Sequence, residues 1–373
     1  MDLVVLSEVR WGYFRTRKQF LLSRFPDRWR VFFAQPPAAG ADDPWRPRQE
    51  GNVTYFTVPF LKPGTTSRAY NALAGTRPGR FLIERVAEHH LRARLRSLGV
   101  EPRPVALVSN IYCPGAVSRL NAQLVFYDFN DSPFQFSRVP VWARGYWQRT
   151  LDQVDALFVV SEYYRRQLES QTSRPLTVIG NGVEWSHFAT PRPEPPEMRS
   201  LPRPRIGYLG LLSHFLDFDV LEALRRARRG GTVVLIGPQS PAVADPLREF
   251  AAREGVAVLG ARPYEQIPAY VQALDVGVIP FRAKDEFVQG INPNKVYQYL
   301  AAGLPVVTTP VLDLSPRPPH LWFGTDPISF VSRVEEALAS PASADQRREL
   351  ARDFDWDRLA ARMVQVIESR LAA

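Results

Sequence analysis

Two rhythms of apolar and polar positions alternate along the chain. Short apolar runs of about four to eight residues, the length of a buried strand, recur through the first half. They fall at 3–8 (LVVLSE), 28–37 (RWRVFFAQPP), 52–60 (NVTYFTVPF), 104–110 (PVALVSN), 124–128 (LVFYD), 156–162 (ALFVVSE) and 175–183 (PLTVIGNGV). Between them lie stretches with helical spacing. One separates the first two runs. Another covers 80–97, with Leu82, Val86, Leu91 and Leu95 near one face. AVSRL, residues 143–155 and EYYRRQLESQ supply three more. Strands that alternate with helices in this way predict an α/β domain with a mostly parallel sheet. Residues 190–204 (TPRPEPPEMRSLPRP) carry no periodicity and read as a linker. The alternation then restarts. Strands are expected at 205–212, 231–238, 256–260, 276–281 and 305–309, with helices between them, at 326–338 and at 355–373. Two doubly wound domains facing a cleft are the natural architecture, and in such sheets ligands bind beyond the carboxyl ends of the strands.

The pattern over 290–307 (GINPNKVYQYLAAGLPVV) is the most informative. Asn292 suits an N-cap, Pro293 suits the first helical position and Gly303 suits the residue after the helix. A loop, a short helix and a buried strand follow one another. Free N–H groups at such a helix start favour an anion. Lys295 in that first turn is unfavourable for the bare helix, and makes sense beside an anion or as an ordinary surface lysine.

Composition changes the picture in a few places. The 373 residues suit two domains. The one cysteine, Cys113, excludes a disulfide framework and a cysteine zinc site, and fits a reducing, cytoplasmic compartment. The five histidines show no metal-ligand spacing. The start MDLVVLSEVRW is not a signal peptide, and no apolar run reaches the roughly 20 residues of a spanning helix. The net charge of +9 is uneven: residues 1–150 hold 22 Lys+Arg against 11 Asp+Glu, and residues 151–373 hold 25 against 27. A basic front half fits an anionic partner such as a membrane surface, a diphosphate lipid or nucleic acid, or a solvated arginine-rich surface. Arg10, Arg15, Arg17 and Lys18, set among aromatics, are candidates to hold an anionic acceptor or lipid headgroups. FLKPGTTSRAYNALAGTRPGRF (60–81) reads as a basic loop that dips to a membrane or stays in solvent.

Candidate chemistry sits at strand ends. Gly210 (GYLGLLS), Gly237 (LIGP), and Arg262 and Tyr264 (RPY) each follow a second-half strand, where backbone or ring can approach a nucleotide. Asp128 and Asp131 (FYDFNDSPF) end a first-half strand. Either can serve as a base for an acceptor hydroxyl, or cap the following turn.

Taken together, VIGNGVEWSHF (178–188), RIGYLGLLSHFLDFDVLEAL (205–224), VVLIGP (233–238), GARPYEQIPAYVQALDVGVIPF (260–281) and NPNKVYQYLAAGLPVVTT (292–309) resemble the GT-B fold glycosyltransferases of group 1, or family-4-like type. The likeness covers about 130 residues of the second half. It extends to the first half through RW (10–11), AQPP (34–37), YDFND (127–131) and DALFVVSE (155–162), and to the final helix as the family's crossing helix. It implies domains at 1–189 and 205–352, linked by 190–204, with 353–373 returning to the first. The donor would be a nucleotide-diphosphate sugar, with UDP favoured. Asn294 and Lys295 would meet the diphosphate. Gln298 stands where many members carry a glutamate for the ribose, and the Lys-x-x-Gln pattern is similar to that of some bacterial glucuronosyltransferases. Glu286 stands where members place a carboxylate near the sugar. The resemblance implies hexosyl transfer, without metal or cofactor, to a lipid-linked or polysaccharide acceptor in cell-surface glycan assembly. It also implies peripheral attachment at the inner face of the plasma membrane. A sugar-nucleotide epimerase of the same architecture is the alternative. A nucleic-acid binder has only charge in its favour.

Overall fold

In the computed structural model the described residues are 1–12, 15–37, 45–63, 65, 67–134, 139–227, 230–282, 288, 290–310 and 319–372. They form two units, Met1–Ile179 with Leu359–Ala373, and Gly180–Arg358.

The first unit holds an eight-stranded sheet. Its strands are β1 (Asp2–Leu6), β2 (Arg30–Gln35), β3 (Arg48–Glu50), β4 (Val53–Thr57), β5 (Val105–Val108), β6 (Leu124–Phe129), β7 (Ala156–Val159) and β8 (Leu176–Val178), in the order β3-β4-β2-β1-β5-β6-β7-β8. All pairs are parallel except β3 with β4. Short β3 is all polar and exposed, so it carries no apolar signal in the sequence. The inner strands are buried on both faces, as a helix-covered parallel sheet requires. From β1 the chain winds outward through β2 and β4, then returns to β5 on the other side. The switch point therefore lies between β1 and β5. Helix Trp356–Leu371 adds Met363, Val364 and Ile367, all buried, to this unit, and Arg28 forks onto Glu368 with contacts of 2.8 and 3.0 Å.

The second unit holds six parallel strands. They are β9 (Arg205–Leu209), β10 (Thr232–Ile236), β11 (Val256–Gly260), β12 (Val276–Ile279), β13 (Val306–Thr308) and β14 (Leu321–Phe323), in the order β11-β10-β9-β12-β13-β14. Here the switch point lies between β9 and β12. The half-buried β14 interrupts what reads as a loop in the sequence.

Three expectations change. Residues 180–204 belong to the second unit rather than to a first domain and a free linker. Met198 in the short helix Pro196–Arg199 is fully buried, and Arg205 bonds back to Leu201 O and Glu194. The return to the first unit starts at Leu359, not at 353, because Val183 and Trp185 bind Phe354 O and the Asp355 carboxylate. The face along 80–97 is split. In helix Arg77–Ser97, Leu91 and Leu95 are buried but Leu82 and Val86 are exposed. The five-residue step from Val86 to Leu91 turns the helix by about 140° at 3.6 residues per turn.

Candidate functional site

In the second unit, helix Asn294–Ala301 is held by what it packs on. Tyr299 lies over Gly277 of β12, where an added Cβ would come within 2.4 Å of its ring. Its hydroxyl accepts the Leu209 N–H at 2.7 Å. Tyr297 stacks on Phe354 at 4.2 Å. Asn181 Nδ2 donates to Asn292 O at 2.6 Å. Asn292 is buried in this contact, and Pro293 rather than Asn292 occupies the cap. Val296, Tyr297, Tyr299, Leu300 and Ala301 face inward. Asn294, Lys295 and Gln298 remain accessible, and Lys295 and Gln298, three apart, share a face.

The Lys295 side chain turns into the switch point. Its Nζ lies 5.2 Å from the Tyr208 ring centre and 4.9 Å from that of Phe281. Tyr208 lies one residue before the end of β9 and Phe281 follows β12, so both strands flank the cation. Among the described residues no carboxylate pairs with it. Desolvation pulls the ammonium from its ordinary range down to about 8. A half-buried, desolvated cation among rings, at the N-terminal turn of a helix, is an electrostatic arrangement that an anion completes.

Backbone geometry clears the space beside it. Gly210 has φ of 134° and Gly237 has φ of 143°, conformations L side chains rarely adopt. A Cβ on Gly210 would stand 3.0 Å from Lys295 Cε, and one on Gly237 would strike Gly210 O at 2.0 Å. Three residues on, Ser213 is 3% exposed, and its Oγ has no partner among the described residues.

The other expected donor residues divide. Tyr264 follows β11 and stacks on His187 at 4.7 Å. Arg262 is engaged with Tyr270 at 2.8 Å and Glu197 at 3.4 Å, so its guanidinium is committed to structure. Glu286 lies outside the described residues. Tyr208, Phe281, Tyr299 and Ser213 were not read from the sequence. Only the aromatic-Gly alternation at GYLG hints at the first.

In the first unit the strand ends at the switch point gather a charge cluster. Arg17 Nε donates to Asp128 Oδ1 at 3.2 Å, with side chains 3% and 2% exposed. Lys18 Nζ donates to Glu8 Oε1 at 2.6 Å. Burial alone would lower Lys18, but Glu8, Asp128 and Asp131 together raise it. Arg17 and Lys18 are therefore interior residues, not a surface for headgroups. Their partners come from the ends of β1 and β6. Arg15 is exposed and Arg10 half-buried. Asp131 accepts from Asn130 Nδ2 at 2.6 Å, and desolvation raises its carboxyl above the usual range against the pull of Lys18. A cleft of about 290 Å³ opens beyond β1, β2 and β5, lined by Glu8, Pro36, Lys62, Ser109, Asn110 and Tyr112 among others.

Two doubly wound units, each with its polar groups at the switch point, constitute the GT-B fold. Residues 203–339 match the family described as glycosyl transferases group 1. A putative teichuronic acid biosynthesis glycosyltransferase, TuaH of Bacillus subtilis, is 24% identical over 223 residues, or 56% of this chain. The chain spans about half, 55%, of that relative's length. Among solved structures, sucrose-phosphate synthase of Thermosynechococcus elongatus superposes over 100% of this chain and 99% of its own, with a TM-score of 0.73 at 15% identity. HepE of Anabaena in complex with UDP covers 99% of this chain and 100% of its own, with a TM-score of 0.66 at 14% identity. The lipopolysaccharide outer core galactosyltransferase WaaB gives 0.65 at 13% identity, over 99% and 100%.

Proposed function

We propose that the protein transfers a glycosyl group from a UDP-sugar to a hydroxyl of a lipid-linked or polysaccharide acceptor in cell-surface glycan synthesis. The observation that carries this is Lys295, a desolvated cation with no carboxylate partner among the described residues, held at the β9/β12 switch point against the Gly210 backbone. A diphosphate supplies the missing negative charge. When the bond from anomeric carbon to phosphate oxygen breaks, charge accumulates on the leaving UDP. Lys295 and the amides that open helix Asn294–Ala301 stabilise that charge without a metal ion. Gln298 then faces the ribose and Tyr264 the base. Asp131 takes the proton of the acceptor hydroxyl, and its raised carboxyl suits a base better than an ordinary aspartate does. Asp128, tied to Arg17, holds the cluster in place. The choice of UDP draws on HepE in complex with UDP, and the choice of a surface glycan draws on TuaH and WaaB. The enzyme works at the inner face of the plasma membrane. Calorimetric titration with UDP, GDP, dTDP and ADP tests the reading. Selective binding of UDP supports it, and no binding of any diphosphate overturns it.

A further inference from the structure

Helix Arg77–Ser97 displays apolar side chains that no packing among the described residues accounts for. Phe81 is 65% exposed, Leu82 55% and Val86 51%. All three lie in its first three turns. Leu73 at the end of helix Arg68–Gly75, and Val141 beside Trp142, are exposed too, and each adjoins that region. Leu73 touches the backbone at Gly79, and Arg80 lies over the Trp142 ring at 4.5 Å. Five of the large apolar side chains that the first unit exposes are thus tied to the start of one helix. A soluble surface scatters such residues singly, and a group of them marks an interaction site.

The rest of the same helix says what kind. It carries six arginines against two glutamates. Both acids turn away from the exposed arc. Glu88 is buried and binds Arg85 at 3.0 Å and Arg119 at 2.6 Å, and Glu84 pairs with Arg149 at 3.5 Å. The exposed arc beyond Val86 holds His89, Arg92 and Arg96 and no carboxylate. Arg92, Arg96 and Arg119 line two adjoining grooves, whose walls also hold Glu88, already paired with Arg85 and Arg119, and Glu101. An apolar tip continued by a mainly basic arc complements an anionic interface with an apolar interior. Rings and aliphatic chains reach the level of the acyl chains, and guanidinium groups pair with phosphates.

We infer that helix Arg77–Ser97 is the membrane-docking element of the protein. Phe81, Leu82 and Val86 insert into the headgroup region of an anionic bilayer, and Arg92 and Arg96 hold its phosphates. The inference rests on the peripheral setting proposed above but not on the transferase chemistry. It replaces Arg17 and Lys18 as the lipid-facing cations, since those two are interior.

The test is co-sedimentation of the full chain with phosphatidylglycerol-containing and with pure phosphatidylcholine vesicles. Calorimetric titration with UDP runs alongside. The parent protein is expected to sediment with the anionic vesicles and to be partly released by salt. Phe81→Ser/Leu82→Ser/Val86→Ser, at exposed positions the fold does not use, is expected to lose that binding while UDP affinity stays within twofold. Arg92→Glu/Arg96→Glu is expected to weaken partitioning by roughly tenfold or more, because each basic residue near an anionic surface contributes on the order of fivefold. Equal sedimentation of the triple serine variant and the parent would overturn the inference. So would a parent that ignores lipid but falls from dimer to monomer in that variant, since the face would then join two copies of the chain. Loss of UDP binding in the parent would instead remove the transferase reading and leave the lipid result standing.

Discussion

Lys295 connects sequence to chemistry most directly. Its position in the first helical turn is visible in NPNK, but its desolvation is not. That depends on Tyr208, Phe281 and Gly210, which lie more than ten residues away. Lys295→Ala is expected to weaken UDP binding by at least about tenfold, since a hydrogen bond to a charged group contributes about 1.5–3 kcal/mol, and to leave uridine binding nearly unchanged. Calorimetry of both ligands checks it. The pH dependence has a defined sign. The free ammonium holds its proton below about pH 8 and loses it above. UDP affinity should therefore decline as the pH rises through that value. The two candidate bases were indistinguishable in FYDFND. Arg17, 111 positions from Asp128, occupies one of them, and no local pattern announces that pairing. Asp131→Asn is expected to abolish transfer and spare UDP affinity. In the parent, the acid limb of the rate should lie above the ordinary aspartate range, because desolvation raises Asp131 and only its ionised form accepts a proton.

Helix Asn294–Ala301 is placed by its buried face, so damage there should reach Lys295 indirectly. Tyr299→Phe removes the acceptor for the Leu209 N–H. A buried donor left without a partner costs about 1–3 kcal/mol. Denaturant unfolding should show that loss, and UDP affinity should fall with it although Tyr299 touches no ligand in the proposed mode. The alternation of strands and helices was legible because parallel strands covered on both faces are continuous apolar runs. The exceptions have physical causes. β3 is polar and exposed, and β14 is three residues long and half-buried. Leu82 and Val86 lie four apart, as do Leu91 and Leu95, so each pair looks helical. The five-residue gap between the pairs sends them to different sides, and periodicity alone did not reveal which side was dry.

Each unit has its own core and its own charge. The first carries 27 Lys+Arg against 16 Asp+Glu, and the second 20 against 22, so the basic excess noted in the front of the sequence belongs to a structural unit. Among the described residues no helix is long and apolar enough to cross a membrane. A variant ending before Leu359 loses the burial of Met363, Val364 and Ile367, each contributing about 1.5–3 kcal/mol, and the fork from Arg28. Such a loss approaches the total stability of an ordinary domain. Limited proteolysis of that variant should degrade the first unit and leave residues 180–358 resistant. The same arrangement sets an order of events on the ribosome. Residues 1–179 emerge first but lack a piece of their own core until 359–373 have been translated. The segment between them is complete before that moment. The half that is made first is therefore finished last, and a nascent chain stalled midway would present chaperones with an open first unit and a closed second one.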